Sequence, residues 1–413
     1  MRKEEKMHNL ILITSEFPFL SGEPFLLNEL PYLSERFNEI YVFSINGRVT
    51  DAKTRYVPNN VKCFALGNTV SKLKYVKYII TGLKMTDYDL KISEKNLKRI
   101  IASLYTRGRA LDITNKIYSI IKDCNLEVDR ATVYSFWFAY QAIAAWLLSK
   151  KLNLEGKNTM CVSRAHGYDL YWERAIGGYL PFQDVSLRNL NWCFPCSDFG
   201  TKYLLEKYPW AVDKIQTKRL GTKDYGLNPY LGEKTFVTCC NLEPLKRISL
   251  FAEAFCEVAK NDKLIKWICI GSGEEEIAIK RIIKNAGVTA QTVMTERLSN
   301  EKVMDIYKTK GVMYFCNVST SEGMPVSIME AMSFGIPIIA TNVGGTQELV
   351  DEENGELIPA EIDKESLTRI LQLSLSADNE EYLLKRKESR MRWESLASAE
   401  TNYKEFCSMI CDE

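Results

Sequence analysis

The sequence predicts an α/β protein built of two parallel-sheet domains. Three observations lead there. The 413 residues exceed what one hydrophobic core ordinarily organises. Short apolar runs alternate with helical periodicities in both halves of the chain, the pattern of buried parallel strands joined by helices. Between the halves, LGTKDYGLNPYLGEK shifts the texture to Gly, Asn and Pro, a linker composition that sets a boundary near 220–232.

Composition narrows the classes. Hydrophobic residues make up 46% and the net charge is +1, which fits a globular chain and argues against a general nucleic-acid binder. Twelve cysteines without a secretory pattern point to free thiols in a reducing, cytoplasmic compartment. The N-terminal MRKEEKMHNLILIT has an apolar run too short for a signal peptide. Residues 131–149 carry no charge, which is close to the roughly 20 residues of a spanning helix. TVYSF is β-like and AIAAWLL helical, so the expectation is a buried strand followed by a buried helix.

In the first half, HNLILITS reads as a strand, FLLNELPYLSERF as a helix and EIYVFSI as a second strand, a βαβ unit. Ligands of open α/β sheets sit at the carboxyl ends of strands, so the loop with Ser21, Gly22 and Glu23 is a candidate binding loop. Residues 71–122 hold twelve Lys/Arg against four Asp/Glu and read as amphipathic helices with a basic face. Such a face suits either solvent or an anionic membrane surface. The strand TMCVSRA runs into HGYDLYWER, which puts His166 at a strand end. Cys193 and Cys196 form a Cys-x-x-Cys without the context of a redox or zinc site, and Ser197 or Asp198 reads as a helix N-cap.

The second half opens with the strand TFVTCCNL. Lys246 and Arg247 then stand at the start of the helix ISLFAEAFCEVAK. Cations at a positive helix end are unfavourable unless an anion is to be bound, which suggests a diphosphate. LIKWICIGSGEEE is a strand entering a Gly-x-Gly turn at Gly271. The stretch SEGMPVSIMEAMSFGIPIIATNVGGTQELV sets Glu322 in a glycine-proline turn and Glu330 in the following helix, seven residues apart. Pro325 suits the first helical turn, and Gly323 permits close backbone approach. The N–H groups of residues 323–327 face outward as an anion site. Three amphipathic helices end the chain.

That stretch resembles the E-x7-E signature of retaining glycosyltransferases of family 4, which have the GT-B fold. SRAHGYDLY is similar to the same family's His-Gly-x-Asp motif. The resemblance implies two Rossmann-like domains, 1–222 on the acceptor side and 223–395 for the donor, facing each other across a cleft that closes on the donor. It also implies a terminal helix, 396–413, packing back on the first domain. The activity implied is metal-independent, retaining hexosyl transfer from a nucleotide sugar, UDP-linked by preference, to a glycan or lipid-linked hydroxyl, as in polysaccharide synthesis at the inner face of a membrane. No cofactor is implied beyond the donor. His166 would meet the sugar with Asp169 supporting its loop, and Arg164 would join the site's electrostatics. Glu322 and the backbone of Gly323, Met324, Pro325 and Val326 would orient the sugar. Glu330 would accept from the ribose, and Lys246 would neutralise the diphosphate. Gly22 and Gly271 would approach the nucleotide, and Glu296, Arg297 and Leu298 the base. The family's phosphate arginine falls on Asn241 here, and Arg247 replaces a usual glycine, which leaves open whether Arg247 substitutes. The alternatives are a catalytically silent nucleotide-sugar-binding or scaffold subunit, or another GT-B enzyme such as an epimerase.

Overall fold

The computed structural model describes residues 8–411 apart from 49, 69, 85–89, 93, 176 and 230–231. Residues 1–7, half of the N-terminal segment read for a targeting signal, lie outside the described residues. Two six-stranded parallel sheets organise the chain. The first contains β1 (Asn9–Thr14), β2 (Ile40–Ser44), β3 (Val61–Ala65), β4 (Arg130–Ser135), β5 (Asn158–Ala165) and β6 (Trp192–Pro195), in the order β3-β2-β1-β4-β5-β6. The second contains β7 (Thr235–Cys239), β8 (Lys266–Ile270), β9 (Thr292–Thr295), β10 (Val312–Asn317), β11 (Ile338–Thr341) and β12 (Gly355–Ile358), in the order β12-β11-β10-β7-β8-β9.

The two orders are the same Rossmann-like topology. Each sheet starts in its middle, builds to one edge, crosses back and builds to the other. The crossing makes a crevice at the strand ends where the order reverses, at β1/β4 in one sheet and at β7/β10 in the other. The candidate residues cluster at these ends because the loops leaving those strands carry them.

All six residues of β1, NLILIT, are buried, as a strand covered by helices on both faces requires. The sequence reading leaves out β3, VKCFA. Only Val61 of that edge strand is fully buried, so it lacks the continuous apolar run that marks its neighbours. Two compact units result. One runs to Arg219 and resumes at Tyr403, and the other is Leu220–Asn402. The final helix, Ala399–Cys411, supplies Phe406, Cys407 and Ile410 to a core cluster with Leu10, Leu12, Leu26 and Tyr134 of the first unit.

The stretch 71–122 differs from a peripheral basic insertion. Its long helix, Leu97–Asp123, is core: Ile113, Ile117 and Ile121 pack with Ala142 and Leu148. The helix Lys72–Lys84 crosses it at two glycines. A Cβ on Gly82 would lie 2.1 Å from Leu104 O, and one on Gly108 would lie 1.9 Å from Tyr78 O, so the crossing needs both. Residues 85–89 and 93 of this stretch lie outside the described ones.

Residues 131–149 are β4 and the start of the helix Tyr140–Leu154. Among the described residues no helix is long and apolar enough to cross a membrane. All twelve cysteines are free thiols.

Candidate active site

In the second unit the loop after β7 meets the loop after β10. Lys246 ends a short 3-10 turn, Pro244–Lys246, and its Nζ lies 2.7 Å from Glu322 Oε1. Asn317 Nδ2 donates to the same oxygen at 3.1 Å, and Ser319 Oγ donates to it at 2.6 Å. Glu322 is 9% exposed, so its charge is held by a cation and two neutral donors rather than by water. The NVGG turn supports it from behind. A Cβ on Gly344 would lie 1.9 Å from Glu322 O, and Gly344 adopts φ +54°, so two separate constraints demand glycine. Gly345 N donates to Gly323 O at 2.8 Å and completes the clamp.

The helix after this turn is Val326–Ser333, with Pro325 as its N-cap, one position earlier than the first helical turn expected. Met324 and Pro325 are buried, while Gly323 and Val326 are partly exposed. The first N–H groups, at Val326 and Ser327, lack intrahelical acceptors by geometry. Glu330 lies further along this helix, and Asn300 Nδ2 donates to its Oε1 at 2.5 Å. Burial pushes the Glu330 carboxyl up to about 7, against the lowering effect of Asn300.

Arg247 turns its side chain to the loop after β10. It adopts φ +50°, the conformation that explains a usual glycine there. Its Nε donates to Val318 O at 2.7 Å and its Nη2 to Ser319 O at 3.5 Å. The guanidinium thus braces the loop that carries Glu322. Asn241 Nδ2 lies 3.5 Å from Glu243 Oε1 on the surface. Gly271, at φ +139°, is required by packing: a Cβ there would lie 1.9 Å from Cys240 O. Glu296 and Arg297 are exposed and Leu298 partly so, in the loop after β9. The residue of this region that reaches the helix is Asn300, which the sequence reading does not single out.

In the first unit His166 caps the short helix Gly167–Leu170 after β5. Its Nε2 lies 3.0 Å from Phe136 O, and its Nδ1 lies 3.2 Å from Cys196 Sγ. A carbonyl can only accept, so Nε2 carries the proton and Nδ1 accepts from the thiol. Burial, and then Arg164, lower the His166 pKa to about 3, so the ring is neutral at physiological pH. Asp169 fixes the loop by accepting from His166 N at 2.6 Å and from Phe138 N. Burial pushes its carboxyl up to about 7 despite these donors. Cys196 thus has a role that a reading of Cys-x-x-Cys as plain packing misses.

The loop after β1 is tied down by its own carboxylates. Glu23, 4% exposed at φ +54°, accepts from Ser15 N at 2.6 Å, from Glu16 N and Phe17 N at 2.8 Å, and from Trp137 Nε1 at 2.6 Å. Gly22 N donates to Glu16 Oε2 at 2.7 Å, and a Cβ on Gly22 would lie 2.8 Å from that same oxygen. The glycine therefore serves the loop's own closure.

Arg164 joins the site's electrostatics through its effect on His166, but its own partners lie in the core, where it is 0% exposed. It donates to Glu29 Oε2 at 3.1 Å, to Tyr134 OH at 2.8 Å and to Lys218 O at 2.7 Å, with Phe406 4.0 Å from its guanidinium. Arg164→Ala should lower stability by about 3–5 kcal/mol, because Glu29 is left buried and unpaired. Denaturant unfolding checks this. A loss under 1 kcal/mol would mean water replaces the pair.

Residues 224–394 match the family model of glycosyl transferases group 1. The matched residues lie within the second unit, Leu220–Asn402. The chain is 22% identical over 409 residues to the "Putative colanic acid biosynthesis glycosyltransferase WcaL" of Escherichia coli K12, covering 96% of this chain and 97% of that protein. It is 26% identical over 192 residues to the UDP-N-acetylglucosamine–peptide N-acetylglucosaminyltransferase GtfA subunit of Streptococcus pneumoniae, of which it spans only 37%. Among solved structures, S. aureus TarM in complex with fondaparinux, alpha-GlcNAc-glycerol and UDP superimposes with a TM-score of 0.68 at 13% identity. That match covers 98% of this chain and 100% of that one. The fold is α/β, of the two-domain GT-B type. The chain is an enzyme of the glycosyltransferase, hexosyltransferase type.

Proposed function

We propose that the enzyme transfers a hexosyl group from a nucleotide-diphosphate sugar, a UDP-sugar by preference, to a hydroxyl of a glycan or lipid-linked acceptor, with retention of anomeric configuration as in family 4. The observation that carries this is the Lys246–Glu322 pair, set where the loops after β7 and β10 meet, with Glu330 further along the same helix. Lys246 neutralises the leaving diphosphate together with the N–H groups at Val326 and Ser327. Glu322 and the turn at Gly323 and Met324 orient the sugar hydroxyls, and Glu330 accepts from the ribose. His166, a neutral ring held by Phe136 and Cys196, serves the sugar with Asp169 behind it. The UDP preference draws on the UDP named with GtfA and TarM.

The reaction is proposed to need no metal, so activity should withstand chelation by EDTA. Membrane association is proposed through the surface of the helix Lys72–Lys84. There Leu73, Val76, Ile80 and Leu83 are exposed beside Lys72, Lys77 and Lys84.

A thermal-shift panel of nucleotide sugars, followed by donor consumption with acceptor extracts, tests the assignment. A ligand at 100 times its Kd stabilises by about 2.7 kcal/mol, a readable rise in Tm. If no nucleotide sugar shifts the melt, the donor assignment fails. Binding without sugar release from any extract would favour a silent donor-binding subunit.

A further inference from the structure

Beyond the carboxyl ends of β2 and β3 the first unit brings three cations, Arg109, Lys74 and Lys116, close to one another. Arg109, on the helix Leu97–Asp123, is 7% exposed. Its partners are neutral. Nη1 donates to Tyr105 OH at 2.8 Å, Nη2 lies 3.4 Å from Asn46 Oδ1 just beyond β2, and the guanidinium sits 4.0 Å over the Tyr140 ring. Among the described residues no carboxylate pairs with it, and its Nε is buried without a partner. A buried cation with only neutral partners is unfavourable unless an anion completes it.

Two lysines join it from the rim. Lys74 Nζ donates to Gly67 O at 2.7 Å, and Lys116 Nζ donates to Leu66 O at 3.2 Å, both just beyond β3. Asp112, 3.5 Å from Lys116, is the carboxylate among them. Burial, and after it the neighbouring Lys116, hold Lys74 below its ordinary pKa, with Arg109 adding to the repulsion and Asp112 opposing it. Gln141 supplies an independent sign of an unfilled site. It is 3% exposed and its Nε2 donates to Ser15 Oγ at 3.1 Å just beyond β1, while its Oε1 is buried without a partner. Strand carboxyl ends beside a topological switch are where open α/β sheets bind ligands.

We infer that Arg109, Lys74 and Lys116 form a binding site for the anionic group of an acceptor, a phosphate or a carboxylate carried next to the sugar that receives the transfer. This rests on the transferase reading above. The tyrosine face under Arg109 holds the guanidinium planar for a bidentate contact, the lysines add charge at the rim, and the Gln141 carbonyl accepts from an acceptor hydroxyl. A neutral acceptor would leave the Arg109 charge uncompensated, so the site selects against it.

The test titrates the full-length protein, with UDP saturating so that a donor site is filled, against glucose 1-phosphate, glucuronate and glucose. The expected result is that at least one anionic probe binds with a salt-dependent Kd and glucose does not. Preference for the phosphate points to a phosphate-linked acceptor, and preference for glucuronate points to an acidic glycan. Arg109→Gln and Lys116→Gln should each weaken the preferred anion roughly tenfold, the loss of one charge-assisted contact. Lys116, nearer the surface, keeps the test usable if the Arg109 variant fails to fold. Glucose binding as well as both anions, or an anion Kd unmoved by both variants, overturns the site. If UDP itself fails to bind, the transferase reading fails, and anion binding is then judged on the UDP-free titration.

Discussion

Lys246→Ala should lower kcat/KM by roughly two to three orders of magnitude while leaving the protein folded. The departing diphosphate develops charge in the transition state, and a preformed cation at that point is worth about 3–4 kcal/mol in comparable sites. Of Asn241, Lys246 and Arg247, only Lys246 meets the Glu322 carboxylate, at 2.7 Å. Removing the lysine leaves Glu322 its contacts with Asn317 and Ser319. Arg247→Ala is the decisive comparison. Its guanidinium donates to the Val318 and Ser319 carbonyls, so the variant should lose stability more than catalysis. The measurement is steady-state kinetics beside denaturant unfolding for both variants. Equal catalytic losses would mean that Arg247 turns to the phosphate when donor binds, in the role of the arginine absent at Asn241.

The contrast between these neighbours shows where a sequence is legible. The turn and helix that carry Glu322 and Glu330 could be read because their stretch is dense in residues whose backbone demands are strict. Gly344 can be nothing but glycine against Glu322 O, and the proline fits only at a helix start. Much of the order of strands and helices was readable because strands such as β1, NLILIT, are nearly continuous apolar runs, whereas the edge strand β3 is not. What escaped was decided by partners distant along the chain. Arg164 sits beside a motif histidine, yet its ion pair is with Glu29, 135 residues away, and packing rather than adjacency assigns its role. Asn300 begins the helix Asn300–Thr309, where an asparagine reads as a cap, and its contact with Glu330 exists only in three dimensions. Cys196 looked like half of a spaced pair, and its thiol instead meets Nδ1 of His166, whose tautomer the Phe136 carbonyl sets. Buried cores tolerate many apolar sequences, whereas polar contacts across elements leave no periodic trace.

Donor affinity should depend on pH through Glu330. Burial holds its carboxyl up at about 7 in the free protein, well above the ordinary glutamate range, so it titrates near neutrality. A ribose diol donates two hydrogen bonds and needs the carboxylate, so binding selects the ionised form and releases a proton below that pKa. The sign follows: Kd should worsen as pH falls, by about thirtyfold between pH 8 and pH 5.5 if the bound pKa lies well below this range. The diphosphate diester of a nucleotide sugar does not titrate there, so the dependence belongs to the protein. Calorimetric titration in two buffers of different ionisation enthalpy would give both Kd and the proton released. In the free protein the linkage runs the opposite way. A carboxyl with a raised folded pKa contributes stability below about 4.5 and loses it as pH rises through about 7, so Glu330→Gln should gain stability relative to wild type across that interval. The same variant should bind more weakly, with a pH profile that is flat. Asn300→Ala, which removes the donor that lowers this pKa, should move the midpoint upward. A wild-type Kd that is constant from pH 8 to 5.5, or a Glu330→Gln profile that matches the wild type, would remove Glu330 from the ribose.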